Sequence, residues 1–144
     1  MENGAIASEA NIQMIPELSG LKILIVEDDG FSEMIMTRAV RAFSKETIVV
    51  GTGVKAIEAC RNHPDIDLIL MDIKMPEMDG HEATRQIRLF NTEVIIIAQT
   101  AFALQSDREM AIAAGCTDFI SKPINKNKLK VLIETYFKEY AELR

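Results

Sequence analysis

The sequence predicts an alternating α/β domain, a (βα)5 three-layer sandwich built on a parallel sheet. Short apolar runs occur at Ile23-Leu24-Ile25-Val26, Thr47-Ile48-Val49-Val50, Leu68-Ile69-Leu70-Met71, Val94-Ile95-Ile96-Ile97-Ala98 and, more weakly, Phe119-Ile120. The runs are continuous rather than alternating, which marks strands covered on both faces. They recur every ~20–27 residues, the length of one strand-plus-helix unit, and the segments between them carry helical spacing.

Residues 1–20 show no sustained periodicity and are punctuated by Pro16 and Gly20, so they read as a linker or an expression remnant; the domain runs from 21 to 144. After the first run, residues 31–43 place Phe31, Ile35 and Ala39 on one helical face. Residues 53–62 form a second helix, closed by His63-Pro64 because proline disfavours helix before it. After Gly80, a third helix carries Ala83, Ile87 and Phe90. A fourth, Ala-rich helix over 103–114 stops at Gly115, a residue suited to the left-handed cap. The last helix has the clearest stripe, Leu129, Leu132, Ile133, Tyr136 and Tyr140. Crossovers between parallel strands are expected to be right-handed.

The chain has 144 residues, which favours one domain. With 48% hydrophobic and 26% charged residues it has the composition of a globular protein. The formal net charge of −6 argues against a nucleic-acid partner. The apolar runs are too short to span a membrane, and no basic region leads an apolar N-terminal stretch, so a cytoplasmic location is expected. Cys60 and Cys116 lack metal-site spacing and read as buried, reduced thiols.

In open α/β sheets ligands bind outside the carboxyl ends of the strands. The five runs are followed by Glu27-Asp28-Asp29, by Gly51-Thr52-Gly53, by Asp72, by Gln99-Thr100 and by Ser121-Lys122-Pro123. Parallel strands bring these ends to one edge. Each residue has a plainer reading: Asp72 as a loop starter, Thr100 as a helix cap, Lys122 as a solvated lysine, Asp28 and Asp29 as caps. Together they are complementary pieces of one site. Clustered carboxylates repel, and Lys122 offsets only one charge, so a hard divalent cation with oxygen ligands, Mg2+, fits. The lysine, a hydroxyl and loop N–H groups suit a phosphoryl group, and a carboxylate can be the nucleophile. The chemistry suggested is Mg2+-assisted phosphoryl transfer onto an aspartate.

The motifs ILIVEDD, LILMDIKMPEMDG, IIIAQTA and FISKPI, in that order, resemble the receiver domain of two-component response regulators. The resemblance covers about residues 21–142 and implies a flavodoxin-like fold with strand order 2-1-3-4-5. It implies Asp72 as phosphoacceptor. Asp28 and Asp72 would bind Mg2+, or Mn2+ in its place, with Glu27 acting through water and the Lys74 backbone carbonyl as a further ligand. Thr100 and the Ala101 N–H would bind the phosphoryl group, Lys122 would pair with one of its oxygens, and Lys122-Pro123 would be cis. Phe119 stands at the family's aromatic switch position, here without the hydroxyl of the tyrosine often seen there. Lys74 and Phe102 hold the two positions that tune dephosphorylation, and a bulky Phe102 implies a phosphorylated state lasting minutes or longer.

The same resemblance implies a signalling module rather than an enzyme. The partner is a histidine kinase or a histidine phosphotransfer domain, docking on the first helix near Phe31, Ser32 and Ile35. The fourth helix, fifth strand and fifth helix form the output surface, which is also available for a homodimer. ILIVEDD, AQTAFA and SKPIN are closest in style to the C-terminal receiver of a hybrid sensor histidine kinase, with a free-standing receiver as the alternative. A haloacid-dehalogenase-type phosphatase needs a second aspartate two residues after the nucleophile, where this chain has Lys74. A flavin carrier needs a Ser/Thr/Gly-rich phosphate loop, where this chain has EDDGFS. An unphosphorylated pseudo-receiver would not need Glu27, Asp28, Asp72, Thr100 and Lys122 together.

Overall fold

The aliphatic runs form five parallel strands, each followed by a helix, in a computed structural model that describes the backbone of residues 16–101 and 104–142 and side chains within 18–101 and 104–138. The elements are β1 (Leu21–Val26), α1 (Gly30–Val40), β2 (Ser44–Val50), α2 (Gly53–Asn62), β3 (Leu68–Asp72), α3 (Gly80–Arg88), β4 (Ile95–Thr100), α4 (Gln105–Ala114), β5 (Asp118–Ser121) and α5 (Lys126–Glu142). The strand order is β2-β1-β3-β4-β5. The chain therefore leaves β1 toward one side and returns to its other side at β3, and the strand order reverses between these two strands.

Continuous apolar runs appear where a strand is covered twice. Every residue of β1 and of β3 is buried, while edge strand β2 keeps exposed positions. Alternate residues feed two cores. Leu24, Val26, Ile69, Met71, Ile96 and Ala98 pack with α2, α3 and α4 through Ala56, Cys60, Ala83, Ile87 and Ala111. Ile23, Ile25, Leu68, Leu70 and Ile97 pack with α1 and α5 through Met36, Val40, Leu129 and Ile133. Each such aliphatic side chain contributes roughly 1.5–3 kcal/mol by burial. Cys60 and Cys116 are free and buried, and burial pushes the Cys60 thiol up to about 11.

Helix starts follow side-chain caps. Asp29 accepts from the Ser32 N–H, Thr52 from Lys55 and Asp79 from Glu82, at 2.9, 3.1 and 2.9 Å. Gly115 ends α4 at φ 115°. Two readings of the sequence need correction. The core face of α1 is Met36, Ala39 and Val40, whereas Phe31 is 67% exposed and Ile35 only half-buried. Helix α3 ends at Arg88, leaving Phe90 beyond it at 40% exposure, where it stacks under Arg61. On α5 Leu129, Leu132, Ile133 and Tyr136 pack in the α1/α5 core as the stripe predicts, with Phe137 buried beside them; the Tyr140 side chain lies outside the described residues. Residues 1–15 also lie outside them. The turn Pro16–Gly20, within the segment read as a linker, buries Leu18 in the α1/α5 core.

Candidate functional site

Four strand ends deliver the polar residues to one edge. Asp72 is the last residue of β3 and Thr100 the last of β4. Glu27 and Asp28 follow β1, and Lys122 follows β5. The register places Asp72 beside Gln99 and Thr100 beside Ser121. The Lys122 N–H donates to the Thr100 carbonyl at 2.7 Å, which ties the β5–α5 connection to the end of β4. The Lys122–Pro123 peptide is cis.

Lys122 Nζ donates to Glu27 Oε1 at 2.8 Å and lies 3.1 Å from Asp72 Oδ1. Carboxylate oxygens of Glu27, Asp28 and Asp72 lie within 4.8 Å of one another. Glu27 and Asp72 are buried and Asp28 is exposed. Three carboxylates thus face one ammonium. Burial, and then the neighbouring Glu27, push Asp72 up to about 6 despite Lys122. Burial works against the Lys122 ammonium, but its hydrogen bonds to Glu27 and Asp72 outweigh this and raise its pKa. The donor set fits a hard divalent cation, which takes one or two carboxylates and keeps several waters. It also supplies the missing positive charge.

Neighbouring backbone holds the cluster in place. The Asp29 N–H donates to Glu27 Oε2 at 3.1 Å, so both oxygens of Glu27 are engaged. The Asp29 carboxyl, held low by hydrogen bonds from Ser32, serves as the cap of α1. After Asp72 the chain turns through Pro76 and Glu77, the latter at φ 70°, and returns so closely that a Cβ on Gly80 would overlap the Asp72 carbonyl. Only glycine fits there, and the Gly80 N–H donates to the Ile73 carbonyl at 2.8 Å. The Asp-Gly step therefore sets both the cap of α3 and the packing against the Asp72 backbone. Lys74 and Ala101 are exposed beside the cluster. Phe102 lies outside the described residues.

Phe119 is half-buried, packed against the α2–α4 core, with the Arg108 guanidinium 5.4 Å from its ring centroid. Arg108 of α4 also pairs with Asp118 at 3.3 Å, and the Tyr136 hydroxyl of α5 donates to Asp118 at 2.6 Å. That bond raises the Tyr136 pKa to about 12. This brace across α4, β5 and α5 escaped the sequence reading, because its three members belong to separate elements and share no motif. Gln99 was also missed as a site residue. The signal for it was an amide in an otherwise apolar run, IIIAQT. It is fully buried, and neither its amide oxygen nor its nitrogen has a protein partner among the described residues.

The model of the response regulator receiver domain matches residues 23–134. A two-component response regulator of rice, ORR41 of Oryza sativa subsp. japonica, is 36% identical over 119 residues, which is 81% of this chain and 94% of that protein. Among solved structures, the receiver domain of the Pseudomonas aeruginosa sensor histidine kinase PA1611, with magnesium in its active-site cleft, superposes with TM-score 0.74 at 34% identity. The match covers 83% of this chain and 98% of that one. A Saccharomyces cerevisiae co-crystal of the phosphotransfer protein Ypd1 with the receiver domain of Ssk1 gives TM-score 0.77 at 29% identity, covering 84% and 91%. The family match takes in all five strands, save the first two residues of β1, and every strand end that meets at Asp72, so the chain belongs to the response regulator receiver domains of two-component signalling.

Proposed function

We propose that Asp72 accepts a phosphoryl group from a phosphohistidine and that residues 21–144 form the responding unit. The observation that carries this reading is a buried Asp72 carboxylate 3.1 Å from Lys122, with two further carboxylates inside the same 4.8 Å cluster. Asp28, Asp72 and the Lys74 carbonyl would hold Mg2+, or Mn2+ in its place, with Glu27 through water. The magnesium in the cleft of the PA1611 receiver supports this choice. The cation supplies positive charge to the phosphoryl oxygens as charge moves between donor and acceptor.

The remaining steps belong to the chain. An Asp72 oxygen attacks phosphorus, the P–N bond to the donor imidazole breaks, and the nitrogen keeps the electron pair. Lys122 exchanges its contact with Asp72 for a phosphoryl oxygen. Thr100 and the Ala101 N–H bind another. Their better fit to the phosphorylated state shifts the population toward a conformation with the Phe119 ring turned inward, which loosens its contact with Arg108. The surface of α4, β5 and α5 then presents the signal, to a target or to a second copy. Lys74 and Phe102 set the rate of hydrolysis, and Phe102 favours a state lasting minutes or longer.

The donor is a histidine kinase or a histidine phosphotransfer protein, a reading supported by the receiver bound to Ypd1. The module signals rather than turning over a substrate, and binds no nucleic acid. No described helix is long and apolar enough to cross a membrane, and we place the domain in the cytoplasm, as the C-terminal receiver of a hybrid kinase.

Phosphoramidate with Mg2+ tests the acceptor. The intact protein should gain the mass of one phosphoryl group, and Asp72→Asn should gain none. Full uptake by Asp72→Asn would place the acceptor elsewhere, with Asp28 the next candidate.

A further inference from the structure

Phe119 has no hydroxyl, so nothing can hold its ring from outside except a group that meets the ring itself. The residue is half-buried on β5, an edge strand, and packs against the α2–α4 core. The hydrophobic effect draws a ring in that position further inward. Opposing this, the guanidinium of exposed Arg108 stands over the ring, 5.4 Å from its centroid. A guanidinium so placed attracts the ring and covers it from water.

Arg108 is itself held. Its guanidinium pairs with Asp118 Oδ1 at 3.3 Å. That oxygen also accepts the Phe119 N–H at 2.8 Å, and Asp118 Oδ2 accepts the Tyr136 hydroxyl at 2.6 Å. A hydroxyl this close to a carboxylate makes a charge-assisted bond, one of the strong kinds. The Asp118 side chain is only 14% exposed, so water offers it few other partners. The contacts act in series: the hydroxyl orients the carboxylate, the carboxylate the guanidinium, and the guanidinium the ring.

We propose that Tyr136 is a positioning residue for the switch: through Asp118 and Arg108 it holds the Phe119 ring outward in the unphosphorylated protein. The consequence for signalling rests on the phosphoacceptor reading, and the hold itself on the brace alone. Anchoring α5 does not require this bond, because Leu129, Ile133 and Phe137 already bury that helix in the α1/α5 core. The Phe119 N–H, bonded to the same carboxylate, ties the brace to the residue that carries the ring. A hold on the resting conformation reduces the fraction ready to bind a phosphoryl group, and apparent affinity falls by that fraction. Releasing the hold raises both.

Tyr136→Phe removes the hydroxyl and keeps the aromatic ring. In the isotopically labelled full chain with no phosphoryl analogue, the Phe119 ring current displaces the Arg108 side-chain proton signals of the parent. In Tyr136→Phe these signals should move toward those of a free arginine. With Mg2+ present, the phosphoryl analogue beryllofluoride should bind Tyr136→Phe about fivefold more tightly than the parent, the lower end of coupling between linked sites. Arg108→Met should tighten binding to the same extent, and the double variant no further, because both changes break one chain of contacts. Unmoved Arg108 signals in Tyr136→Phe, an affinity no tighter than the parent's, or additive effects in the double variant would each overturn the proposal. So would a lowered unfolding temperature with both readouts unchanged, the mark of a purely structural contact. Failure of the parent to bind beryllofluoride would instead remove the acceptor reading, and leave the Arg108 signals to decide the hold by themselves.

Discussion

At the amino-terminal edge of the sheet, Lys22 of β1 pairs with Asp65 at 3.0 Å and Glu46 at 3.6 Å, and lies 3.0 Å from His63 Nδ1. At the carboxyl-terminal edge, Lys122 pairs with Glu27 at 2.8 Å and Asp72 at 3.1 Å. As lists of partners the two clusters look alike. They differ in which member is buried. The Lys22 side chain is 9% exposed, while Asp65 and Glu46 are 66% and 51% exposed. Water solvates the negative charge there, and the hydrogen bond to Asp65 raises the lysine's pKa and lowers that of Asp65. At the other edge the exposures are inverted: Lys122 reaches solvent while the Glu27 and Asp72 side chains retain 1% and 5%. Desolvated negative charge remains in excess, and Asp72 is pushed up. A lysine among carboxylates does not mark a functional site; buried carboxylates that outnumber their cation do.

The contrast can be broken most severely through the backbone at the acceptor edge. Gly80→Ala drives a Cβ into the Asp72 carbonyl and should cost about 3 kcal/mol by urea unfolding, the upper range for overpacking. Lys122→Ala removes the cation paired with two buried carboxylates. In metal-free buffer at pH 7 it should cost about 2 kcal/mol, below the value for a fully buried pair because Lys122 is partly solvated. Mg2+ should restore part of that loss, and the variant should lose the phosphorylation-dependent change at Phe119 more than phosphoryl uptake itself. Asp72→Asn acts in the opposite direction. It removes the charge that burial opposes, and should stabilise the metal-free protein at pH 7 by about 3 kcal/mol, since burial and Glu27 hold the Asp72 carboxyl at about 6. Lys22→Met should have the smallest effect, a slight lowering of the urea midpoint with phosphoryl uptake unchanged. A Lys22→Met loss as large as that of Lys122→Ala would remove the distinction between the edges.

The sheet was legible because β1, β3 and β4 are covered on both faces, which leaves unbroken aliphatic runs. The acceptor edge was legible because parallel strands must carry Glu27, Asp28, Asp72, Thr100 and Lys122 to the same side. The inner face of α1 was not. Phe31, Ile35 and Ala39 form one acceptable helical stripe, and Met36, Ala39 and Val40 form another; the packing of α1 against β1 and α5 selects the second. The Arg108–Asp118–Tyr136 brace depends on three elements meeting in space, so no local pattern announces it. Gln99 was hidden by its position. A polar residue next to Thr100 reads as the exposed end of a strand, yet β4 extends through Thr100 and the amide is covered by α1 and the β5–α5 connection.

The pH dependence follows from the same imbalance. Asp72 has a folded-state pKa of about 6 against an ordinary 3.8, so the native state holds this proton more tightly than the unfolded chain. Stability of the metal-free protein should fall as pH rises through that interval and level off above it. The most direct measurement is the titration of the Asp72 carboxyl carbon by NMR in metal-free protein and again with saturating Mg2+. The expected midpoint is near 6 without metal, and below the ordinary aspartate value once Mg2+ is added. A midpoint at the ordinary value that Mg2+ does not move would contradict it.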